Sequence, residues 1–344
     1  MNFQEYLKHH YNFFETLVLQ ITLRCPLECG HCNVNSSPRA KIALSRQSID
    51  RAIRGFADTP DSKMVFITGG EPFAECDLLD CAITISRDLG LATYVITSAH
   101  WARSSSGARK VLNKLPKIDL MSISIDEWHL KYVPLEQALR GAKIAAEAGT
   151  DVNIALTLRN PDDPFRQIVY EAIEQLEFSP SVYECMVAPV GRSVLNGNHN
   201  ISKEPAVGYC PKIGAPTITS DGSIIACCNA TETNLISQTE LANEHGLLLG
   251  HVDDTTLSEV KHKLENDPIL LALRLLGPGW IWQQGLKYNL FDNLLEAPHS
   301  GSSNDICQVC AKLVRNGERV RRLQKIMAKP EVAAQLRWIS GRTG

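Results

Sequence analysis

The sequence has no excess of basic charge and no long apolar run. Its 344 residues carry a formal net charge of −3 at pH 7, so it lacks the positive field that draws nucleic acid. One local basic run, Arg315 to Lys325, reads as the solvated face of a helix. No stretch approaches the ~20 apolar residues needed to span a bilayer. The start, Met1 to His10, is polar and mixed in charge, without the pattern of an export signal. There is no internal repeat and no low-complexity segment. Without export, eleven cysteines argue against a disulfide framework and suit metal-bound thiolates in a reducing cytoplasm. The length allows one large or two modest domains.

Three of those cysteines fall within eight residues, Cys25-Pro-Leu-Glu-Cys29-Gly-His-Cys32, spaced C-x3-C-x2-C just after the apolar run Leu17 to Leu23. No fourth cysteine lies within reach of that loop. A cubane iron–sulfur cluster takes one thiolate per iron, so three thiolates leave one iron open to a ligand from outside the protein. A closed zinc site would need a fourth Cys or His, and His31, lying between two of the cysteines, is awkwardly placed to complete one.

Strands read at Leu17–Leu23, Met64–Thr68, Ala92–Ser98, Leu120–Ile125, Val152–Leu158 and Val182–Ala188. Helical periods lie between them at Ser45–Phe56, Cys76–Leu89, Ser104–Leu115, Leu135–Ala148 and Pro164–Leu176. About six βα units predict an α/β fold with a parallel sheet and right-handed crossovers. That is too few for a full eight-fold barrel, so the expectation is a partial (β/α)6, TIM-like barrel. Parallel strands covered on both faces should be almost wholly apolar. Here Gln20 and Thr22, then Ser122, Ser124 and Asp126, then Asn153, Thr157 and Arg159 fall on single faces by the period-2 rule. Helices must cover the apolar side, so the polar side is expected to line a binding lumen. The alternative is that these are satisfied core positions.

After Gly191 the texture changes. Residues 193–208 are rich in Asn, Ser and Gly and read as a linker between a barrel, 1–192, and a smaller unit, 209–313, with a C-terminal helix over 314–344. The smaller unit holds a hairpin candidate from Thr217 to Ile225 with Asp221-Gly222 at its turn. It also holds the remaining clustered cysteines: Cys210, Cys227, Cys228, Cys307 and Cys310. Gly277-Pro-Gly-Trp280-Ile-Trp282 is an aromatic turn that either caps the lumen or joins the core.

The cysteine triplet, followed about forty residues later by Gly69-Gly70-Glu71-Pro72 at a strand end, resembles the signature of the radical S-adenosylmethionine (SAM) superfamily. One departure is His31, where that family usually has another aromatic residue. The resemblance implies that Cys25, Cys29 and Cys32 hold a [4Fe-4S] cluster whose open iron takes the amino and carboxylate groups of SAM. It further implies that Gly69, Gly70, Glu71 and Pro72 hold SAM's methionine amino group, and that Ser124 and Asp126 contact its ribose and carboxylate. By the same resemblance, His31, Thr97-Ser98 and the segment Pro189 to Arg192 are expected to line it. The second cysteine set resembles the family's SPASM/twitch-type auxiliary domains in the shortened, one-cluster form, with a second [4Fe-4S] cluster. The family spacing from Gly222 selects Cys227 as the fourth ligand beside Cys210, Cys307 and Cys310, with Cys228 the alternative. A four-cysteine zinc site is the competing reading.

Of the cysteines left over, Cys76 and Cys81 read as packed thiols, and Cys185 as a packed thiol or a hydrogen-atom donor in the lumen. Glu127 and His129, at the lumen rim, are candidate acid or base groups. By resemblance, reductive cleavage of SAM yields a 5′-deoxyadenosyl radical that takes a hydrogen atom from a substrate C–H bond, with the electron delivered by a flavodoxin or ferredoxin. The substrate expected is a peptide, or a sugar-like or aminocyclitol carbinol in natural-product tailoring. The absence of a separate peptide-recognition domain before the first strand weighs against the peptide. A non-catalytic iron–sulfur electron carrier is the alternative of another class, but it leaves the Gly69–Pro72 turn and the polar lumen without a role.

Overall fold

Six strands alternate with helices: β1 (Thr16–Thr22), α2 (Arg46–Ala57), β2 (Met64–Gly69), α3 (Cys76–Asp88), β3 (Ala92–Thr97), α4 (Ser105–Leu112), β4 (Leu120–Ile125), α5 (Leu135–Glu147), β5 (Asp151–Leu158), α6 (Phe165–Glu174) and β6 (Ser181–Met186), preceded by α1 (Phe3–Tyr11). The structure, a computed structural model, describes residues 2–188, 190–196, 208–210, 212–227, 246–290, 306–314 and 317–341. Strands β1 to β6 pair in parallel, each beside its predecessor, which is the expected partial barrel. Two of these helices begin where a serine side chain satisfies a free amide of the first turn. Ser45 accepts from Ser48 N before α2, and Ser104 from Gly107 N before α4.

The sheet has two buried faces. Outside, Leu17, Leu19, Ile21, Ile67, Val95, Met121, Ile123 and Ile154 pack under α2, α3 and α5 in one large cluster. Inside, the lower lumen is a second core, which the polar start of the chain did not suggest. Phe3 and Tyr6 of α1 enter the barrel from below and meet Val18, Met64, Phe66, Tyr94 and Leu120. Ring centroids of Tyr6 and Tyr94 are 4.2 Å apart, and those of Phe66 and Tyr94 are 4.7 Å apart. Asn2 and Glu5 close a capping box that starts α1. The predicted polar lumen is therefore confined to the upper half. Ser122 and Asn153 pair in register directly above the aromatic plug, and both are fully buried. Above them Ser124, Thr157 and Cys185 are only half-buried.

The hairpin forms as expected from β7 (Thr217–Ile218) and β8 (Ser223–Ile225), joined by β9 (Leu248–His251). It does not sit apart, however. Strand β7 pairs in parallel with β1, Val18 to Thr217 and Leu19 to Ile218, so the order β6-β5-β4-β3-β2-β1-β7-β8-β9 is one sheet. Ile218, Ile224 and Ile225 belong to the same buried cluster as Leu19 and Ile53. The stretch expected as a linker opens with a short helix, α7 (Arg192–Leu195), and its residues 197–207 lie outside the described ones. Three further helices follow β9: α8 (Leu257–Asn266), α9 (Pro268–Leu275) and α10 (Pro278–Lys287).

The aromatic turn at Gly277–Trp282 is the start of α10, with Pro278 at its first position and Trp282 buried. It is core, so the capping role falls away. After α11 (Ile306–Val314), the expected single C-terminal helix over 314–344 is broken into α12 (Gly317–Met327) and α13 (Pro330–Ile339). Pro330 cannot continue a helix from α12, since it lacks the N–H and its ring clashes with the preceding turn. Among the described residues no helix is long and apolar enough to cross a membrane.

Candidate functional site

The cysteine loop leaves the top of β1 and is fastened at once to the end of β2. Gly70 N donates to Thr22 O at 2.6 Å and Glu71 N to Arg24 O at 2.9 Å. A Cβ on Gly69 would stand 2.4 Å from Thr22 O, and one on Gly70 would stand 2.3 Å from Arg24 O. The two glycines are thus required first by the chain itself, which brings the turn against the loop. Two of the three thiols accept backbone amides, Cys25 from Leu27 N and Cys32 from Ser36 N, each at 3.4 Å. Burial, then the nearby Glu71 carboxylate, pushes the Cys25 thiol well above its ordinary range. Only a bound cation would hold it as the thiolate. Three cysteines in one loop, with amides already aimed at two of the sulfurs, fit an iron–sulfur cluster.

Arg192 closes this loop from the far side of the barrel. Its Nη1 donates to Cys29 O at 2.7 Å, Nη2 to Ser36 O at 2.5 Å and Nε to Asn35 Oδ1 at 3.1 Å. Its backbone N donates to Cys32 O at 2.9 Å. With the guanidinium spent on loop acceptors, Arg192 is a clamp for the cysteine loop. Asn196 Nδ2 reaches Gly30 O at 3.1 Å, and Tyr132 OH reaches Glu28 O at 3.1 Å.

Glu71 is 1 % exposed, and its carboxylate is enclosed by its own chain. It accepts from Thr97 Oγ1 at 2.7 Å, Ser98 N at 2.9 Å, Ser98 Oγ at 2.6 Å and Phe73 N at 3.2 Å. Burial would raise its pKa, but His100 and these donors outweigh that and keep it lowered. The side chain therefore anchors the turn to β3, and only the backbone from Gly69 to Pro72 is left to meet a ligand. Thr97 and Ser98 serve the same anchor. Ala99, which follows them, sits at φ 59°, the left-handed region.

At the end of β4, Asp126 is fully buried between two imidazoles. His129 Nδ1 lies 2.5 Å from its Oδ2 and His31 Nε2 lies 3.2 Å from the same oxygen. Oδ1 accepts from Trp128 N at 3.0 Å and His129 N at 2.8 Å. Burial alone would raise the Asp126 pKa, yet the two histidines hold it well below the usual carboxylate range. All its lone-pair directions are used within the protein. The ring of His31 stacks on Trp128 with centroids 4.6 Å apart. Over the same Trp128 ring lies the Arg159 guanidinium, 5.6 Å from the centroid. Arg159 also pairs with Glu127. Neither expected acid–base group is therefore free. Glu127 holds Arg159 across the rim, and His129 holds Asp126.

Cys185 on β6 faces the upper lumen, its sulfur 3.5 Å from Thr157 Oγ1. Burial pushes this thiol up, so it is kept protonated. In the second cysteine set, Cys307 and Cys310 lie three apart on α11, on one face of the helix. Burial and then the neighbouring Cys210 and Cys307 drive the Cys310 thiol far above its ordinary range. Cys227 is buried just past β8. Cys228 lies outside the described residues. Reading the sequence missed Trp128, Tyr132 and Asn196, and the aromatic plug of α1. Only the plug left a signal, the helical spacing of Phe3, Tyr6 and His10.

Residues 19–172 match the family model of the Radical SAM superfamily. YydG of Bacillus subtilis (strain 168), named as a peptide biosynthesis protein, is 21% identical over 329 residues, covering 92% of this chain and 97% of that one. Among solved structures, Streptococcus suis SuiB bound to S-adenosylmethionine superposes with a TM-score of 0.52 at 18% identity, covering 78% of this chain and 70% of that one. The enzyme anSMEcpe with bound AdoMet and the Cp18Cys peptide gives 0.51 at 13% identity, covering 94% and 99%. These two share the fold.

Proposed function

Residues 19–172 of this chain form a radical SAM domain, and from that premise we propose that the enzyme abstracts a hydrogen atom from a C–H bond of a ribosomally made peptide. The observation that carries the reading is the cysteine loop. Three cysteines lie in one short loop whose backbone is clamped from outside by Arg192, Asn196 and Tyr132. When bound, the cluster and SAM supply the reductive cleavage that releases a 5′-deoxyadenosyl radical. Cys25, Cys29 and Cys32 would hold that cluster. The backbone from Gly69 to Pro72, the half-buried Ser124 and the ring of His31 would hold SAM. The half-buried upper lumen would take the substrate, above a floor that the α1 plug keeps dry and closed. Cys185 is the lumen thiol suited to return a hydrogen atom to a substrate carbon radical, its own radical then reduced by the external electron donor, a flavodoxin or ferredoxin.

Support for a peptide is the relative YydG, matched along nearly its whole length, over the competing carbinol substrates. The second cysteine set, Cys210, Cys227, Cys307 and Cys310, is proposed to hold an auxiliary [4Fe-4S] cluster of the twitch type. The test uses anaerobically reconstituted enzyme with SAM, dithionite and a small peptide encoded beside its gene, run in heavy water. Peptide mass change or deuterium uptake, with 5′-deoxyadenosine formed in proportion, is the expected result. Coupled turnover with an aminocyclitol and none with the peptide would overturn the substrate assignment.

A further inference from the structure

The two edges of the sheet are built differently. At one edge, β9 has only four residues, and its pairing with β8 shifts register between Ile224 and Ile225. Short length and a bulge both keep an edge from pairing with another chain. At the other edge, β6 has six residues, all paired to β5 without a register shift. It carries neither lysine nor proline. Its one charged side chain is neutralised from α6, where Arg166 Nε donates to Glu184 Oε1 at 3.0 Å and Nη2 to Oε2 at 3.1 Å. The backbone shows which groups of β6 are spare. Val187 N donates to Leu158 O at 3.0 Å, so the odd-numbered residues turn their N–H and C=O groups toward β5. Successive residues of a strand turn these groups in opposite directions. Val182, Glu184 and Met186 therefore turn theirs outward, and among the described residues no group hydrogen-bonds to those main-chain atoms. The strand is half-buried in its middle and exposed at both ends, so this edge can be reached. It is also continuous with the lumen. On that face the Cys185 sulfur lies 3.5 Å from Thr157 Oγ1, and the ring of Tyr183 packs on Phe3 of the plug, with centroids 5.8 Å apart.

We propose that the peptide substrate docks as an added strand on the outer edge of β6, its main chain bonded to Val182, Glu184 and Met186 and every second side chain turned into the lumen. The inference deepens the peptide reading given above and rests on it. A main-chain donor and acceptor on every second residue of an unpaired edge complement another extended chain. A strand added there would run about 4.7–4.9 Å from β6. One of its lumen-facing residues would then lie beside Cys185, the thiol assigned to return a hydrogen atom. Main-chain pairing supplies affinity whatever the side chains are, and the pockets for alternate side chains supply specificity. Here those pockets are the upper lumen, so the edge would set the register of the peptide and the lumen would select the residue.

The probe is the small peptide encoded beside the gene, added to the reconstituted parent enzyme with SAM. Amide hydrogen exchange at Val182, Glu184 and Met186 should be fast without the peptide and slow with it. A set of the same peptide, each member N-methylated at one residue, removes one main-chain donor at a time. Coupled turnover should fall at every second residue through one stretch, the period of a paired strand. Glu184→Pro removes an outward N–H that β5 does not use, and an edge strand tolerates proline at such a position. Its KM for the peptide should rise about tenfold, as for one hydrogen bond lost. Glu184→Gln, which keeps the N–H, should stay near the parent KM. The exchange and methylation measurements use the parent protein and need no stable variant. Slow exchange at the three amides before peptide is added would show that another segment or a second copy already pairs with this edge, and it overturns the inference. A methylation pattern without a period of two overturns it as well, as does a parent KM in Glu184→Pro at parent iron content. If the unmethylated peptide is not turned over by the parent at all, the peptide reading itself fails, so the two failures are told apart by that one assay.

Discussion

Gly191 lies so close to Cys32 that a Cβ on the glycine would stand 2.4 Å from the cysteine's carbonyl oxygen. The same glycine sits at φ 60°, where side chains are disfavoured. Gly191→Ala should therefore push the α7 end of the barrel off the cysteine loop, at a cost of about 1–3 kcal/mol. The expected outcome is faster loss of iron from the first cluster under a chelator, with the secondary structure by circular dichroism retained.

Arg192→Met tests the clamp more directly. It removes the charged donors from Cys29 O, Ser36 O and Asn35 Oδ1, each such bond contributing about 1.5–3 kcal/mol at most. SAM cleavage measured as 5′-deoxyadenosine should fall together with iron retention. Iron retained at the parent level would show that the loop holds its shape without this residue.

Replacing Cys25, Cys29 and Cys32 together by Ala should abolish 5′-deoxyadenosine formation with dithionite. Iron should fall from about eight to about four atoms per chain, as expected for two cubane clusters reduced to one. About four irons and one zinc in the parent would mark the second site as a zinc module.

Cys227→Ala should strip the auxiliary cluster while the first cluster stays, and Cys228→Ala should leave both in place. Because metal binding and folding are coupled in stapled segments, coupled turnover should fall further than uncoupled SAM cleavage. Mössbauer spectra and iron content of the two variants read the result. Cluster loss in Cys228→Ala alone would move the ligand by one residue.

His10 gives the plug a pH dependence. Burial, and then Lys212 at 2.8 Å, lowers its folded pKa from 6.5 to about 3. In that window the unfolded chain binds a proton that the folded chain refuses, so stability is fully present above pH 6.5 and is lost as pH falls toward 3. Urea midpoints should drop on acidification across this range. The drop should be smaller in His10→Gln, which has no proton to take up.

The order of β1 to β6, the helices between them and the two cysteine sets were legible in the sequence. Period-2 patterns, short polar caps and the C-x3-C-x2-C spacing are all properties of neighbours a few residues apart. The alternation on β4 and β5 also told which residues face inward. It could not tell that Phe3 and Tyr6 fill the lower lumen, because that depends on where α1 docks. Nor could composition alone show that the Thr217–Ile225 hairpin joins β1 and extends the barrel's sheet.

The sequence by itself determined the chemistry on offer, three thiols in one short loop and a Gly-Gly-Glu-Pro turn at a strand end, because covalent neighbours decide spacing. The tertiary structure decided what each polar group does with its hydrogen bonds. Arg192 and Cys29 stand 163 residues apart in the chain, yet one clamps the carbonyl of the other. Asp126, a ligand contact by position, spends both oxygens on His31, Trp128 and His129. A buried polar group must find partners or lose the free energy of its hydration. The chain folded around it chooses those partners, and no local pattern records the choice.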